Sequence, residues 1–273
     1  MKARKDWWKT HFGRGSLDGY GLPARTRAEV RGAAKMLGLR GPSEVLDVAC
    51  GAGRHALGLA ALGHRVTGID WSRPLLTQAA RAAKAAGAPA SFVRGDMRRL
   101  RYRARFDAAV NLFTSFGYFD TEAEDLAVLR GVRRALRPGG VFLMDVLNKD
   151  WLLRHFSPTF WQKKPDGGVV KAFNRLSFDK KTSRLSNRRT LYLEGGAQRE
   201  TFLRFKVYAR RDLERLLRLA GLRPLRAFGG FDARPAGPDA FRLIVAATPA
   251  NKPAKPAARR PGTRASTKTA ARP

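Results

Sequence analysis

Cysteine occurs once in 273 residues, histidine four times, and acidic residues number 22 against 54 lysines and arginines. A single thiol forms no internal disulfide and no thiolate metal cluster, which fits a reducing compartment. Long apolar runs are missing too. The longest, from Ala56 to Gly63, is about eight residues, far below the roughly 20 that a membrane-spanning helix needs, so no transmembrane helix and no membrane partner are expected. The N-terminal MKARKDWWKTHFGRG is basic but lacks the apolar stretch of a secretory signal, and the cytoplasm is the expected compartment.

What is present in excess is positive charge, +32 formally. Most of it is arginine, accompanied by abundant alanine, glycine and proline, a bias that a GC-rich genome produces without selection for binding. Residues 249–273 differ in kind: seven Lys/Arg, five Pro and no acid describe a disordered basic tail. The remainder still carries +25, enough for salt-sensitive contacts with anionic partners, nucleic acid included. The 44% hydrophobic content supplies a full core for one large domain.

Residues 44–49 (EVLDVA) form a short apolar run that ends in the CGAG turn, and a segment of helical composition follows to Gly63. HRVTGI then reads as a second strand with Asp70 at its end. Ser72 caps a helix with Pro74 in its first turn and Gly87 as its stop; Leu75, Leu76, Ala79, Ala80, Ala83 and Ala86 are its expected apolar stripe. SFVRGD, FDAAVNLF and VFLMDVL give strands three to five, the last after a helix over 122–136 and the RPGG turn. Strands alternating with helices predict an α/β, doubly wound parallel sheet. Between about 159 and 208 the pattern changes to β-type stretches separated by glycine turns, such as Asp166-Gly167-Gly168, which predicts a small antiparallel insert. An amphipathic helix over 211–220 and two closing strands complete the chain.

The stretch VLDVACGAGRHA, with Asp70 17 residues beyond Gly53, carries the most chemistry. Glycines directly after the first strand admit a ligand close to the backbone, the helix N-terminus offers unpaired N–H groups, and an acid at the end of strand two takes ribose hydroxyls. This describes an adenosine-type cofactor site. Gly51-Ala52-Gly53-Arg54-His55-Ala56 also satisfies the loose dinucleotide pattern, so an NAD(P)-dependent oxidoreductase is a competing reading. Asp47 inside strand one, Gly95-Asp96-Met97 after strand three and Arg137-Pro138-Gly139-Gly140 before strand five separate the two, because Asp47 would repel a pyrophosphate.

Together these motifs resemble the class I S-adenosylmethionine-dependent methyltransferases, strongly over residues 44–147 and more loosely over 7–247, and bacterial small-molecule members in particular. The resemblance implies a Rossmann-like seven-stranded sheet with the insert after strand five, and S-adenosylmethionine as cofactor. It implies Asp47, Gly51 and Gly53 beside the methionine part, Asp70 on the ribose, and Asp96 with the Met97 backbone at the adenine. Trp71 would lie on the adenine, Arg54 would pair with the cofactor carboxylate, and Asn111 opens the wall 111–119 (NLFTSFGYF) where donor and acceptor meet. The domain scheme that follows is an N-terminal helical lid over 1–40, a methyltransferase domain over 41–248 with the insert and substrate cover at about 151–208, and the tail.

The implied reaction is methylation of a small molecule at N or O by in-line displacement. Both prolines of the Asn/Asp-Pro-Pro-aromatic motif of base-modifying amino methyltransferases are missing here, and Cys50, in the cofactor turn, is no nucleophile for cytosine C5 chemistry. An RNA or protein methyltransferase remains an alternative on the strength of the charge. For a general base the candidates are His155, beside Trp151 and Phe156, and Tyr118. His64, in a helix-to-strand turn, reads as structural, and His55 sits in the first turn of the first helix. Trp7, Trp8, Phe12 and Tyr20 are expected to fold over the cofactor. A monomer or homodimer is expected, with the insert as an alternative dimer interface.

Overall fold

The computed structural model of the protein describes residues 7–12, 22–162, 172–192 and 194–250. Tyr20, the Asp166-Gly167-Gly168 turn and the tail beyond residue 250 lie outside the described residues. In chain order the elements begin with α1 (Trp8–His11), α2 (Leu22–Leu37), β1 (Glu44–Val48), α3 (Arg54–Ala61), β2 (Arg65–Asp70), α4 (Arg73–Ala85), β3 (Ala90–Arg94) and β4 (Phe106–Asn111). They continue with α5 (Glu122–Ala135), β5 (Leu136–Leu147), α6 (Lys149–Arg154), β6 (Thr159–Gln162), β7 (Ala172–Asp179), β8 (Arg184–Tyr192) and β9 (Gln198–Lys206). The chain closes with α7 (Arg210–Leu219), β10 (Leu222–Phe228) and β11 (Arg242–Pro249).

Seven strands pair in the order β10-β11-β5-β4-β1-β2-β3. β1 to β5 run parallel, and the closing β10–β11 hairpin enters with β11 antiparallel to β5. Alternation along each strand divides the core in two. Leu46, Val48, Phe142, Met144 and Val245 face one layer, packed with Val128, Leu129 and Val132 of α5 and Leu213, Leu216 and Leu217 of α7. Val45, Val66, Leu143 and Ile244 face the other, packed with α2 and α3. Among the described residues the N-terminal lid expected over 1–40 divides: α2 is a core helix that buries Val30, Ala33, Ala34 and Leu37 in one layer, while Trp7 and Trp8 at α1 pack on the other.

Local chemistry explains the boundaries. The Ser72 hydroxyl accepts from the Leu75 N–H at 3.4 Å, Pro74 occupies the first turn, and Gly87 at φ +58° ends the α4 segment. Ala80 and Ala86 are exposed, because they stand outside the i, i+1, i+4, i+8 stripe of Leu75, Leu76, Ala79 and Ala83. A Thr121–Glu124 capping box opens α5. The RPGG turn belongs to β5 rather than preceding it: Leu136 pairs with Phe106, and the register shifts before Val141 pairs with Ala108, with Gly139 at φ +78° taking up the irregularity.

The insert is a separate four-stranded antiparallel sheet, β6-β7-β8-β9. Its continuous registers run from Ala172↔Leu191 to Asp179↔Arg184 and from Arg184↔Lys206 to Tyr192↔Gln198. No helix among the described residues is long and apolar enough to cross a membrane.

Candidate functional site

The site lies at the carboxyl ends of β1, β2 and β4, where the chain crosses from sheet to helix. After Val48 the backbone turns through Ala49 (φ +61°), Gly51 (φ +55°) and Gly53 (φ +80°) before α3 begins. At Gly53 a Cβ would stand 2.9 Å from both the Ala79 Cβ and the Phe92 Cζ, so only glycine fits there. The Gly51 N–H donates to Asp70 Oδ2 at 2.9 Å, and the Ser72 N–H donates to Asp70 Oδ1 at 2.8 Å. Each carboxylate oxygen keeps a free lone pair. Burial raises the Asp70 pKa against the effect of these N–H donors.

Asp47 is 2% exposed and its Oδ2 has no hydrogen-bond partner. Burial first, and then the Asp70 charge, push its carboxyl up to about 7. The thiol of neighbouring Cys50 is pushed up by burial and by the same two carboxylates, which leaves it an unreactive packing group. Arg54 in the first turn of α3 donates through Nη1 to Thr26 and Glu29 of α2, and its buried Nη2 has no hydrogen-bond partner. Asn111 at the end of β4 is fully buried; its Nδ2 donates to the Val48 carbonyl at 2.9 Å, and its Oδ1 is unpartnered. The turn is thus ringed by buried polar atoms with capacity to spare, a feature that native interiors seldom tolerate without a ligand or water.

Asp96 caps the short 3-10 turn Met97–Arg99. Its two oxygens take the Arg98 N–H and the Arg98 side chain at 2.6–3.1 Å, and these bonds overcome desolvation to hold the carboxyl below its ordinary range. The Met97 side chain is buried. Trp71 is half-buried, with Arg94 4.9 Å from its ring centroid and Lys9 at 5.6 Å. Its edge meets Trp8 of α1 at 5.5 Å. Trp8 also meets Phe119 at 5.6 Å, while Trp7 meets Tyr118 at 5.4 Å and Phe202 of β9 at 6.4 Å. One turn of helix therefore links the end of β2, the wall after β4 and the insert.

That wall is strained. Phe113 and Thr114 are consecutive non-glycine residues at φ +61° and +57°, a conformation that costs energy and persists only when its surroundings impose it. Here Asp145 of β5 imposes it: its Oδ2 accepts the Phe113 N–H at 2.8 Å and its backbone carbonyl accepts the Thr114 N–H at 3.0 Å. Arg242 of β11 pairs with the same Oδ2 and reaches Glu29, which in turn holds Arg54 and His55. Glu29, pulled down to about 2 against its own desolvation by His55 and Arg54, was not apparent from sequence because its partners lie 25 to 213 residues away. A signal existed, however. Glu29 is the only acid in α2 and stands four residues before Ala33 and eight before Leu37, on the buried stripe. Further along the wall, Gly117 accepts the Lys206 N–H of β9, and the buried Arg184 of β8 donates to the Phe119 and Asp120 carbonyls. Phe116 packs on Tyr208, whose hydroxyl donates to the buried Asp125.

The two expected bases are not brought together. Tyr118 sits among Trp7, Phe12 and Phe205. His155 ends α6, exposed, its ring stacked on Trp151 at 4.8 Å and Nδ1 3.0 Å from the Trp151 carbonyl. The histidine nearer the wall is His11 of α1, which was not apparent from sequence and whose neighbours Trp7 and Phe12 pack on Tyr118. It lies 4.7 Å from Phe12 and 5.5 Å from Trp7, bonds the Phe202 backbone, and is lowered to about 4, chiefly by burial and further by Arg189 and Arg199.

Comparison with known proteins agrees with this geometry. Residues 45–140 match the family described as "Methyltransferase domain". The cypemycin N-terminal methyltransferase of a Streptomyces species is 36% identical over 37% of this chain and 40% of its own length. The dTDP-3-amino-3,6-dideoxy-alpha-D-glucopyranose N,N-dimethyltransferase of Streptomyces fradiae is 29% identical over 66% of this chain and 70% of its own. The chain spans about two fifths of the length of the curated relatives it matches at 36% identity. In fold, the CcbJ methyltransferase from Streptomyces caelestis superposes with a TM-score of 0.78 at 22% identity, covering 90% of this chain and all of that one. The closing antiparallel β10–β11 hairpin beside β5 also differs from the parallel strand order usual for the dinucleotide-binding sheet of the competing oxidoreductase reading. The glycine turn between two strand-end carboxylates and these matches identify residues 45–140 as a methyltransferase domain, in a chain with the fold of the S-adenosylmethionine-dependent methyltransferases on which it superposes.

Proposed function

We propose that this protein methylates a nitrogen or oxygen of a small molecule, with S-adenosylmethionine bound across the ends of β1, β2 and β3. The observation that carries the reading is the ring of buried, unsatisfied polar atoms around the 49–54 turn: Asp47 Oδ2, Arg54 Nη2 and Asn111 Oδ1. These atoms suit a zwitterionic amino acid group. Asp47 and Asn111 offer acceptors to an ammonium, and Arg54 Nη2 offers a donor to a carboxylate. Asp70 uses its spare lone pairs for ribose hydroxyls. Asp96, oriented by Arg98, retains one acceptor position for the adenine amine, with Met97 beneath it and Trp71 as the stacking surface. The bound cofactor supplies an electrophilic methyl group on a sulfonium.

The chain's own contribution is alignment and exclusion of water, the chief demands of an in-line displacement. The Asp145-pinned turn fixes the wall, and Trp7, Trp8 and Tyr118 close it from solvent. Tyr118 orients the acceptor nucleophile. His11, neutral at physiological pH, is better placed than His155 to receive a proton at this wall. Small-molecule acceptors are supported by relatives named for methylating amino sugars, and by a wall enclosed by lid and insert rather than open to a polymer. The test is conversion of S-adenosylmethionine to S-adenosylhomocysteine by the full chain, with panels of small amines and alcohols set against tRNA. Turnover with small acceptors is expected, and turnover with tRNA alone overturns the assignment.

A further inference from the structure

Strand alternation gives the insert sheet one face turned inward, toward Leu147, Leu152 and Trp151 of the main domain. Its cross-strand rows follow from the registers. Phe178, Leu185 and Phe205 form one row, Leu176, Asn187 and Leu203 the next, and Asn174, Arg189 and Thr201 the one beyond. The first row is an ordinary apolar contact with the domain. The other two place polar groups where an apolar core would be expected: Asn174 is 1% exposed and Arg189 5%. Asn187 Nδ2 donates to Asn174 Oδ1 at 2.9 Å, so the pair is aligned by its own hydrogen bond. That bond leaves a buried donor, Asn174 Nδ2, and a buried acceptor, Asn187 Oδ1, with no hydrogen-bond partner. Each costs the free energy of a desolvated amide atom unless something meets it. The rows border the wall, since Tyr118 meets Phe205 at 6.3 Å and packs against the same apolar cluster as Leu176 and Leu203, and Arg189 lies close enough to His11 to lower its pKa.

We propose that this polar face is the acceptor-recognition site, and that the Asn174–Asn187 pair reads a hydroxyl group of the acceptor. A hydroxyl is donor and acceptor at once, and it satisfies both orphaned amide atoms where an alkyl or ammonium group satisfies at most one. The acceptor is therefore a hydroxylated amine or polyol. Its apolar portion rests on the Leu176–Leu203 row and its hydroxyl edge on the amides. The purpose of the site rests on the methyl-transfer reading; its preference for hydroxyls does not.

The experiment is calorimetric titration of the full chain with glucosamine and with cyclohexylamine, two ring amines that differ in ring hydroxyls, each with and without saturating S-adenosylhomocysteine. Glucosamine is expected to bind at least about tenfold more tightly, because a site built to hydrogen-bond a hydroxyl discriminates against its absence. In Asn174→Leu/Asn187→Leu that preference falls below about twofold while S-adenosylhomocysteine affinity holds. Because the change removes both orphaned amides together, the thermal midpoint of the unliganded variant holds or rises, so that the lost preference does not reflect lost folding. Should the double variant not fold, Asn187→Leu alone, between Leu176 and Leu203, is expected to cut the preference at least about threefold. Equal binding of the two amines, binding of neither, or a preference preserved in the variants overturns the proposal. Failure of S-adenosylhomocysteine to bind contradicts the methyltransferase reading instead, and the titrations without it still decide this one.

Discussion

The glycine turn and the insert sheet both bury polar atoms without partners, yet they reach that state by different routes. Around residues 47–54 the unsatisfied atoms come from a short contiguous motif plus one amide, Asn111, on the adjacent strand β4, and glycines at 51 and 53 make room for a ligand against the backbone. In the insert they come from Asn174 and Asn187 on two strands paired antiparallel, with full-length side chains and no glycine cradle. The first geometry recognises a fixed shape with side chains held around a backbone turn that its glycines keep open. The second recognises a variable partner through side chains that are replaceable one at a time. A fold that keeps its cofactor and exchanges its substrates has use for both.

Between the two regions stands the strained Phe113–Thr114 turn, and breaking its support has the largest expected effect. Arg242→Met leaves Asp145 and Glu29 buried without their shared cation. A loss of about 3–5 kcal/mol in urea unfolding is expected, whereas a loss within about 1 kcal/mol would show that the network does not hold the wall. Next, Asp70→Ala removes two charge-assisted hydrogen bonds to ribose, and S-adenosylhomocysteine affinity is expected to fall about 100-fold in calorimetry. The binding of glucosamine should be unaffected, since the insert reads it independently. Gly53→Ala forces a Cβ to 2.9 Å from Ala79 and Phe92 at a positive φ. It should cost about 2 kcal/mol of stability, measured by urea titration, together with cofactor binding.

Acidification separates the regions by sign. The folded-state pKa of Asp47, about 7, lies above its ordinary 3.8, so its contribution is fully present below pH 4 and is lost as pH rises through 7. His11 runs the other way. Its folded value of about 4 lies below 6.5, so stability at the lid is lost as pH falls from 6.5 to 4. In urea midpoints measured from pH 4 to 8, Asp47→Asn should lift stability most at the alkaline end and His11→Phe most at the acid end; identical profiles for the two variants would contradict the assignment. The smallest effect belongs to Trp8→Ala, which loses the edge contacts to Trp71 and Phe119. It should weaken cofactor binding about fivefold with little change in global stability.

Legibility from sequence followed the same division. Asp47, the glycines and Asp70 were readable because strand, turn and helix are local and their spacing is fixed by one crossover. The insert strands were readable as β, but not which face turns inward, because a one-residue change of register exchanges the faces and nothing local sets it. Asn174, Asn187 and Arg189 passed unnoticed for that reason. Glu29 and Arg242 meet only through tertiary packing. Among the histidines, His155 drew notice for its neighbours Trp151 and Phe156, whereas His11, equally flanked by aromatics in sequence, is the one folded against the wall.

The central claim is that the ring of buried polar atoms around the 49–54 turn holds an S-adenosyl amino acid. Its most direct test is parallel calorimetric titration of the full chain with S-adenosylmethionine, S-adenosylhomocysteine, NADH and NADPH. Dissociation constants of about 1–100 μM for the first two, lost in Asp70→Ala, with no heat from the nicotinamides, are the predicted result. Binding of a nicotinamide cofactor, or silence from both S-adenosyl compounds, would contradict it.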